Sequence, residues 1–279
     1  MKHFNRTITV LVFIFLYIPM IVLAVASFNT GTDIASFKGF TLRQYANLFR
    51  DGTLLTLLRN SVIIALLATL ISTIVGTMAA VGIHGMKGRL RSAVMTMTNI
   101  PMTNPDIVTG VSLSLLFVFV GTRMLGQRNS LTFWTLLIAH ITFNLPYVIL
   151  NVMPKLKQTN RYTYEAALDL GASPLYAFFK VVFPDIVPGI LSGFLMAFTM
   201  SLDDFIITHF TRGAGINTLS TLIYSEVRRG IKPSMYALST VIFVTILALL
   251  LITNFAPAKP QTKAGAGSSG QNAVPDNGK

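Results

Sequence analysis

Six long apolar runs constrain the fold of this chain more than any other feature of its sequence. Each is close to the ~20 mostly apolar residues that an α-helix needs to cross a bilayer. Because backbone groups in lipid have to satisfy their own hydrogen bonds, the runs predict helices, and the absence of alternating strand patterns argues against a membrane β-barrel. The predicted spans are residues 7–29, 60–83, 92–121, 130–153, 186–208 and 234–256.

The composition agrees with a membrane protein. Only 11% of the residues are charged, whereas soluble domains carry about 25%. The formal net charge is +12, but lysine and arginine are neither abundant nor clustered as in a nucleic-acid-binding protein, so no nucleic-acid partner is expected. The chain has no cysteine and no Walker A, H-E-x-x-H or G-x-S-x-G pattern. We therefore expect neither a metal site nor an enzyme active site.

The two ends of the chain need separate interpretations. Lys2 and Arg6 precede an apolar stretch that ends Ala24-Val25-Ala26, a pattern also found in cleaved signal peptides. The run is longer than the ~7–15-residue core of a signal peptide, which favours a retained span. At the other end, residues 259–279 are rich in Gly, Ser, Pro, Asn and Gln, which predicts a disordered tail.

The segment between the fourth and fifth spans has the most specific pattern in the sequence. Residues 162–170 predict a short helix, and Gly171 is suited to end it because glycine accepts a left-handed backbone. Ser173 is then placed to cap a second helix with Pro174 as its first residue. Pro184 is expected to end that helix before the fifth span. Two short helices joined by a turn of small residues are therefore predicted at the membrane surface.

Seven residues of this segment follow a fixed spacing: Glu165, Ala166, Ala167, Gly171, Val181, Phe183 and Pro184. The spacing resembles the EAA loop of ABC-importer permeases, whose pattern is E-A-A, three residues, G, nine residues and then I-x-L-P. Valine and phenylalanine stand here for the isoleucine and leucine of the family, and both replacements are apolar. A bare E-A-A triplet is a weak signal, whereas the full spacing between two membrane spans is specific for these permeases.

The resemblance implies an all-α integral membrane protein with the six-helix fold of type I ABC-importer permeases (MetI-like), residues 1–258 forming one permease domain. It implies a cytoplasmic coupling loop, 155–185, that docks on an ABC ATPase dimer; the ATPase binds ATP and Mg²⁺, and this chain holds no cofactor. The other implied partners are a second homologous permease subunit, a periplasmic substrate-binding protein and the lipid of the bacterial inner membrane. The implied coupling residues are Glu165, Ala166, Ala167, Asp169, Gly171 and Ala172.

These residues suit a docking surface, and they also orient the chain. Small side chains allow a close approach, and Glu165 and Asp169, four residues apart on one helix face, are able to meet basic groups. A cytoplasmic loop places both termini in the cytoplasm. Charge alone supports this orientation only weakly, since 12 of the 22 lysines and arginines fall on that side.

Four further stretches resemble one branch of the family, the second permease subunit of spermidine/putrescine importers: residues 39–49, 104–108, 140–146 and 201–205. This likeness implies a polyamine cargo. Ferric ion, an aminoalkylphosphonate or an opine remain alternative cargoes for an ABC importer. An ATP-independent carrier or channel is the alternative from another class, although no repeat of the broken third span occurs in the second half of the chain.

Three acids lie within the predicted spans: Asp106, Asp203 and Asp204. Acids at such positions are costly and usually functional. No basic residue falls within a span interior to pair with them, so a polycationic cargo is able to supply the missing positive charge. The sequence therefore makes the three acids candidates for the transport pathway.

Each acid also has a structural interpretation. Pro101 and Pro105 are expected to break the third span, and Asn104 is placed to cap a new helix in which Asp106 is the second residue, where an acid favours the helix dipole. Asp203 and Asp204 lie ~25 Å along the fifth span, close to its outer end in a core of ~30 Å. We expect one of them to line the pathway and the other to bond a neighbouring helix, without a preference for either. His140 is interpreted as a packing residue, like Trp134 and Tyr147.

Overall fold

The computed structural model describes residues 2–31, 36–124, 126, 130–229 and 231–255. In these ranges the chain is helical, with extended pairing limited to one isolated bridge between Asn29 and Phe40. The helices are α1 (Lys2–Ser27), α2 (Arg43–Arg50), α3 (Gly52–Gly85), α4 (Gly88–Thr103), α5 (Asp106–Phe119), α6 (Phe133–Gln158), α7 (Arg161–Asp169), α8 (Pro174–Ala177), α9 (Phe183–Asp203), α10 (Ile206–Thr211), α11 (Leu219–Arg229) and α12 (Pro233–Phe255).

Several of these helices are long enough to span a membrane, as the apolar runs of the sequence predicted. Five helical segments are long and apolar enough to cross a bilayer, and α12 supplies a further, shorter apolar stretch at Pro233–Ala248. The five are Arg6–Ser27, Gly52–Gly85, Asp106–Met124, Phe133–Gln158 and Pro174–Asp203. The all-helical membrane architecture is thereby confirmed.

The chain divides into two units, Met1–Thr240 and Val241–Lys279. The first contains α1 to α11 and the start of α12, and all the packing discussed below belongs to it. The described part of the second unit is the remainder of α12, residues 241–255. The predicted disordered tail, residues 259–279, lies outside the described residues.

A short helix, α2, begins within the stretch 39–49 after the first span, and it packs back on the end of α1. The Tyr45 hydroxyl and the Ser27 Oγ are 2.7 Å apart and hydrogen-bonded. The Phe28 ring lies between Tyr45 and Phe40, with centroids 5.2 and 5.3 Å away. These contacts fix the short helix at the C-terminal end of α1.

The predicted break in the third span is confirmed, but its geometry differs from the prediction. Asn104 ends α4, its N–H donating to the Ile100 carbonyl at 3.1 Å, and it does not cap α5. The cause is Pro105, which forces the residue before it out of the helical region (ψ of Asn104 is 144°). Asp106 is consequently the first residue of α5 rather than the second.

The prediction that Pro184 ends the surface helix is wrong. A π-helical turn, Phe178–Val182, joins α8 to α9 without interruption. The Phe183 N–H donates to the Phe178 carbonyl, an i→i+5 bond, and Pro184 then falls in the first turn of α9, where a missing N–H is tolerated. One helical segment therefore runs from Pro174 to Asp203.

Glycines bring α3, α6 and α9 into close contact. The buried Val148 of α6 lies between Gly76 of α3 and Gly193 of α9. A Cβ atom on Gly76 would be 2.8 Å from the Val148 Cγ1, and one on Gly193 would be 3.2 Å from the Val148 Cα. Gly189 and Gly193 are four residues apart, the small-xxx-small spacing that lets membrane helices approach. The three helices form a closely packed core of the first unit.

This close packing predicts a selective effect of one added methyl group. Gly189→Ala is expected to destabilise the protein by about 1–3 kcal/mol, as overpacking does, because its Cβ would lie 2.8 Å from the Asn151 carbonyl oxygen. Gly82→Ala on α3 is the matched control, since a Cβ there has no neighbour within 4 Å. Thermal unfolding of the detergent-solubilised protein measures both. Equal midpoints for the two variants would contradict the packing.

Candidate functional site

The last long helix of the fifth span ends at Asp203 and Asp204, two of the candidate pathway acids. α9 stops at Asp203, Asp204 is extended (ψ 121°), and α10 begins two residues later at Ile206. The predicted span 186–208 is therefore not one continuous helix, because it is interrupted after Asp203. The physical reason lies in the Asp204 carboxylate, which accepts hydrogen bonds from the N–H groups of Ile207 (3.3 Å) and Thr208 (2.8 Å). These N–H groups belong to the first turn of α10. They lack a carbonyl partner within the helix and are able to bond a side chain only because the chain is interrupted at Asp204.

Asp204 has partners that the sequence did not suggest. The Thr208 hydroxyl donates to its Oδ2 at 3.1 Å, and the Nε2 of His140 is 3.7 Å from the same oxygen. His140, on α6, is 1% exposed and is hydrogen-bonded at both ring nitrogens, Nδ1 to the Ser201 Oγ (2.7 Å) and Nε2 to the Thr208 Oγ1 (2.9 Å). His140, interpreted from the sequence as a packing residue, therefore packs with polar partners, and one of its ring nitrogens lies near the Asp204 carboxylate.

Further helices converge on this break. The Ser220 hydroxyl of α11 donates to the Asp204 carbonyl at 2.7 Å, and the Ser61 Oγ of α3 accepts from the Leu219 N–H at 2.8 Å. On the other side, Gly110 of α5 lies against α10, where a Cβ would be 3.5 Å from the carbonyl oxygen of Ile206. The end of the fifth span is thus held by polar contacts from several helices.

Asp203 is the exposed member of the pair. Two residues on, the Phe205 ring stacks on Tyr224 of α11, with centroids 4.1 Å apart and planes 19° apart. The His209 ring lies 5.2 Å from the Phe205 ring, measured between centroids. The Arg228 guanidinium lies 5.4 Å from the centroid of the Tyr224 ring. An exposed carboxylate suits a cationic ligand. Sequence reasoning missed Tyr224, because nothing in α11 marks it.

Asp106 occupies a different place. It is exposed at the start of α5 and forms no hydrogen bond or ion pair within the described part of the chain. Its position satisfies the helix-dipole interpretation, and the structure does not join it to Asp203 or Asp204. In the same part of the chain, no three or more His, Asp or Glu side chains are grouped to hold a metal ion.

The surface segment after the fourth span has the local structure that its residues predict. α7 ends at Asp169, and Gly171 has a φ of +86°, with the next N–H, of Ala172, donating to the Ala167 carbonyl at 3.1 Å. The Ser173 Oγ accepts from the Tyr176 N–H at 3.3 Å and begins α8. The predicted helix, glycine stop and serine cap are confirmed.

This segment presents apolar side chains outward. Leu170 is 89% exposed, Tyr162 80% and Leu175 73%. Ala166 and Asp169 are also exposed, and Glu165 is half-buried. Large apolar groups at a surface that also carries charge mark a site for a protein partner. We call the exposed face of residues 161–177 the docking face.

The family comparison decides the class of protein. The model of the family described as binding-protein-dependent transport system inner membrane component matches residues 72–258, more than half of the chain. The chain belongs to this family. It is therefore a multi-pass membrane permease subunit of an ABC importer, and ATP hydrolysis belongs to a separate subunit. The resemblance of the EAA segment is confirmed.

Curated relatives identify the branch that the chain resembles. It is 39% identical over 248 residues to the spermidine/putrescine transport system permease protein PotC of Haemophilus influenzae, covering 89% of this chain and 94% of the relative. It is 40% identical over 239 residues to the putrescine transport system permease protein PotI of Escherichia coli, covering 84% of each.

Solved structures support the fold. A bacterial ABC transporter involved in import of the acidic polysaccharide alginate superposes with a TM-score of 0.72 at 18% identity, covering 91% of this chain and 93% of that one. The MetNI methionine ABC transporter gives a TM-score of 0.54 at 18% identity, covering 74% and 95%. The ABC-importer permease fold expected from the sequence is confirmed.

Proposed function

We propose that this permease carries polyamines, such as spermidine and putrescine, across the bacterial inner membrane. The observation that supports this most is the exposed carboxylate of Asp203 at the end of α9, two residues before Phe205 in the chain. Ammonium groups are attracted to carboxylates, and a polyamine offers several of them on a flexible apolar stem. The polyamine permeases among the relatives point to the same cargo.

The docking face is the proposed contact with an ABC ATPase dimer, which binds ATP and Mg²⁺. This contact places loop 155–185 and both chain termini in the cytoplasm, and α2 and the α10–α11 region at the periplasmic side, where a substrate-binding protein delivers cargo. A second, homologous permease subunit completes the pathway, and residues 1–258 act as one domain. The exposed apolar side chains of Leu170 and Leu175 support the docking assignment, since in water they would be costly to leave uncovered.

The continuous helical segment Pro174–Asp203 is the proposed link between ATP hydrolysis on the cytoplasmic side and opening of the transport pathway on the opposite side. Its 30 residues span about 45 Å at ~1.5 Å per residue, from the docking face to the exposed acid. Closure of the ATPase pair displaces the cytoplasmic end of this rod, and its outer end, with Asp203, moves with it. The helical bundle then switches between outward and inward access, the two states that alternating transport requires.

Reconstituted transport tests the cargo. The complete importer, with its ATPase, companion permease and binding protein, is placed in liposomes containing ATP and Mg²⁺, and uptake of labelled putrescine is measured. We expect saturable, ATP-dependent uptake that unlabelled spermidine and putrescine inhibit and ferric ion, an aminoalkylphosphonate or an opine does not. Uptake of one of those other solutes, with no competition by polyamines, would overturn the assignment. Uptake without any ATPase subunit would indicate a carrier instead.

A further inference from the structure

We propose that His140 is a positioning residue that fixes the end of the fifth span, and thereby the place of Asp203, through hydrogen bonds on both sides of the α9–α10 break. This inference rests on the proposed pathway role of Asp203. It adds a residue that neither contacts the exposed surface nor belongs to the docking face, since His140 is 1% exposed in the interior of α6.

The hydrogen bonds around His140 have one consistent direction. The Thr208 hydroxyl donates its proton to the Asp204 Oδ2, so its oxygen is left to accept from the His140 Nε2–H at 2.9 Å. Nδ1 is hydrogen-bonded to the Ser201 hydroxyl at 2.7 Å. A ring with its only proton on Nδ1 would turn the Nε2 lone pair toward a carboxylate oxygen 3.7 Å away. The geometry therefore favours a proton on Nε2.

The two partners of the ring lie on opposite sides of the break. Ser201 is in the last turn of α9, and Thr208 is in α10, with the extended residue Asp204 between them. A single rigid, planar side chain from α6 thus sets the separation of the two helix ends. A fully satisfied buried network of this kind specifies one arrangement, because any other leaves a polar group unpaired at considerable cost.

This arrangement determines where Asp203 projects. Asp203 is the last residue of α9, two positions after Ser201, and it has no side-chain hydrogen bond of its own within the described residues. Phe205 lies between Asp204 and Thr208 in the sequence. The stacking of its ring on Tyr224 therefore depends on the same hydrogen bonds of His140. His140 therefore positions the acid and the aromatic faces relative to each other without touching cargo.

The first experiment compares substitutions of the ring in the reconstituted importer. His140→Leu removes both hydrogen bonds and is expected to raise the KM for polyamine uptake about tenfold, with the ATPase activity of the complex retained. His140→Gln offers an acceptor and a donor in place of the two ring nitrogens and is expected to recover most of the affinity. Ser201→Ala and Thr208→Val remove one hydroxyl each and are expected to lie between these limits.

Thr142→Val is the matched control for the hydroxyl variants. Thr142 is exposed on the same helix, α6, and its hydroxyl bonds only the Ile138 carbonyl of its own helix, at 2.8 Å. Uptake by this variant is expected to match that of the unsubstituted protein. If His140→Leu fails to assemble, the two single-hydroxyl variants still decide the question. Wild-type KM values for both of them, or no recovery by His140→Gln, would overturn the proposal.

A second measurement reports position without any cargo. The chain has no cysteine, so Asp203→Cys provides a single reactive thiol at the outer end of α9, in the assembled importer. Its labelling rate by a membrane-impermeant maleimide is expected to change about threefold or more when combined with His140→Leu, and to stay unchanged with His140→Gln. Equal rates in all three backgrounds would overturn the positioning role. Failure of polyamine uptake alone, with the labelling differences intact, would instead refute the proposed cargo.

Discussion

Asp203→Asn is expected to reduce polyamine uptake by about ten- to 100-fold in the reconstituted importer. A hydrogen bond to a charged group contributes about 1.5–3 kcal/mol, and each 1.4 kcal/mol corresponds to about a tenfold change. Asparagine keeps the shape of the side chain but not the charge that meets an ammonium group. Because Asp203 is exposed, its replacement leaves no buried group unpaired, so assembly of the complex and basal ATP hydrolysis are expected to remain unchanged.

Asp204→Asn distinguishes this effect from a structural one. The Asp204 carboxylate accepts from the N–H groups of Ile207 and Thr208 through its two different oxygens. Asparagine keeps one acceptor oxygen and puts an NH2 donor in place of the other, so it retains only part of these bonds but does not remove the charge of Asp203. We therefore expect the smaller loss of uptake for this variant, accompanied by a lower thermal midpoint. Initial rates and melting curves from the same preparations provide the comparison. Unimpaired uptake by Asp203→Asn, with uptake lost by Asp204→Asn, would reverse the assigned roles.

The membrane helices and the surface loop were predictable because their determinants are local. Apolar length alone indicates a spanning helix. In the surface loop, Gly171, Ser173 and Pro174 follow one another closely, so the stop, the cap and the restart of the helix are encoded in a few adjacent residues. Where these helices begin and end could therefore be predicted without knowledge of contacts between distant residues.

The π-helical turn before α9 shows where local rules failed. Pro184 is normally a helix terminator, and the sequence gives no sign that five residues before α9 widen to an i→i+5 pattern. The widened turn moves Pro184 into the first turn of α9, where its lack of an N–H is harmless. The consequence is a continuous helical segment from Pro174 to Asp203, on which the proposed coupling mechanism depends.

The partners of the acids were not predictable, because they are distant along the chain. Ser201 and Thr208 lie 61 and 68 residues from His140. A single histidine in an apolar run is compatible with simple packing, and only the tertiary arrangement reveals its two bonds. Tyr224 is a comparable case, since its stacking on Phe205 follows from the return of α11 to the end of α9.

Glu165→Ala and Ala166→Trp are expected to reduce association with the ATPase subunit by about 30-fold or more, the effect of losing a dominant interface residue worth about 2 kcal/mol. Glu165 supplies a charge on the docking face, and Ala166 is an exposed small residue at which an indole would hold a partner away from the helix. Co-purification of the ATPase with the tagged permease in detergent measures association. ATP-dependent uptake is expected to fall in parallel.

Ala46→Trp provides the control for added bulk. Ala46 is exposed on α2, a short surface helix like α7 but packed on the outer end of α1. The same indole there is expected to leave ATPase co-purification unchanged, because the proposed docking face lies at the opposite side of the membrane. Undiminished co-purification by both docking-face variants would show that the ATPase binds elsewhere. A loss caused equally by Ala46→Trp would indicate that bulk disturbs the fold and not one contact surface.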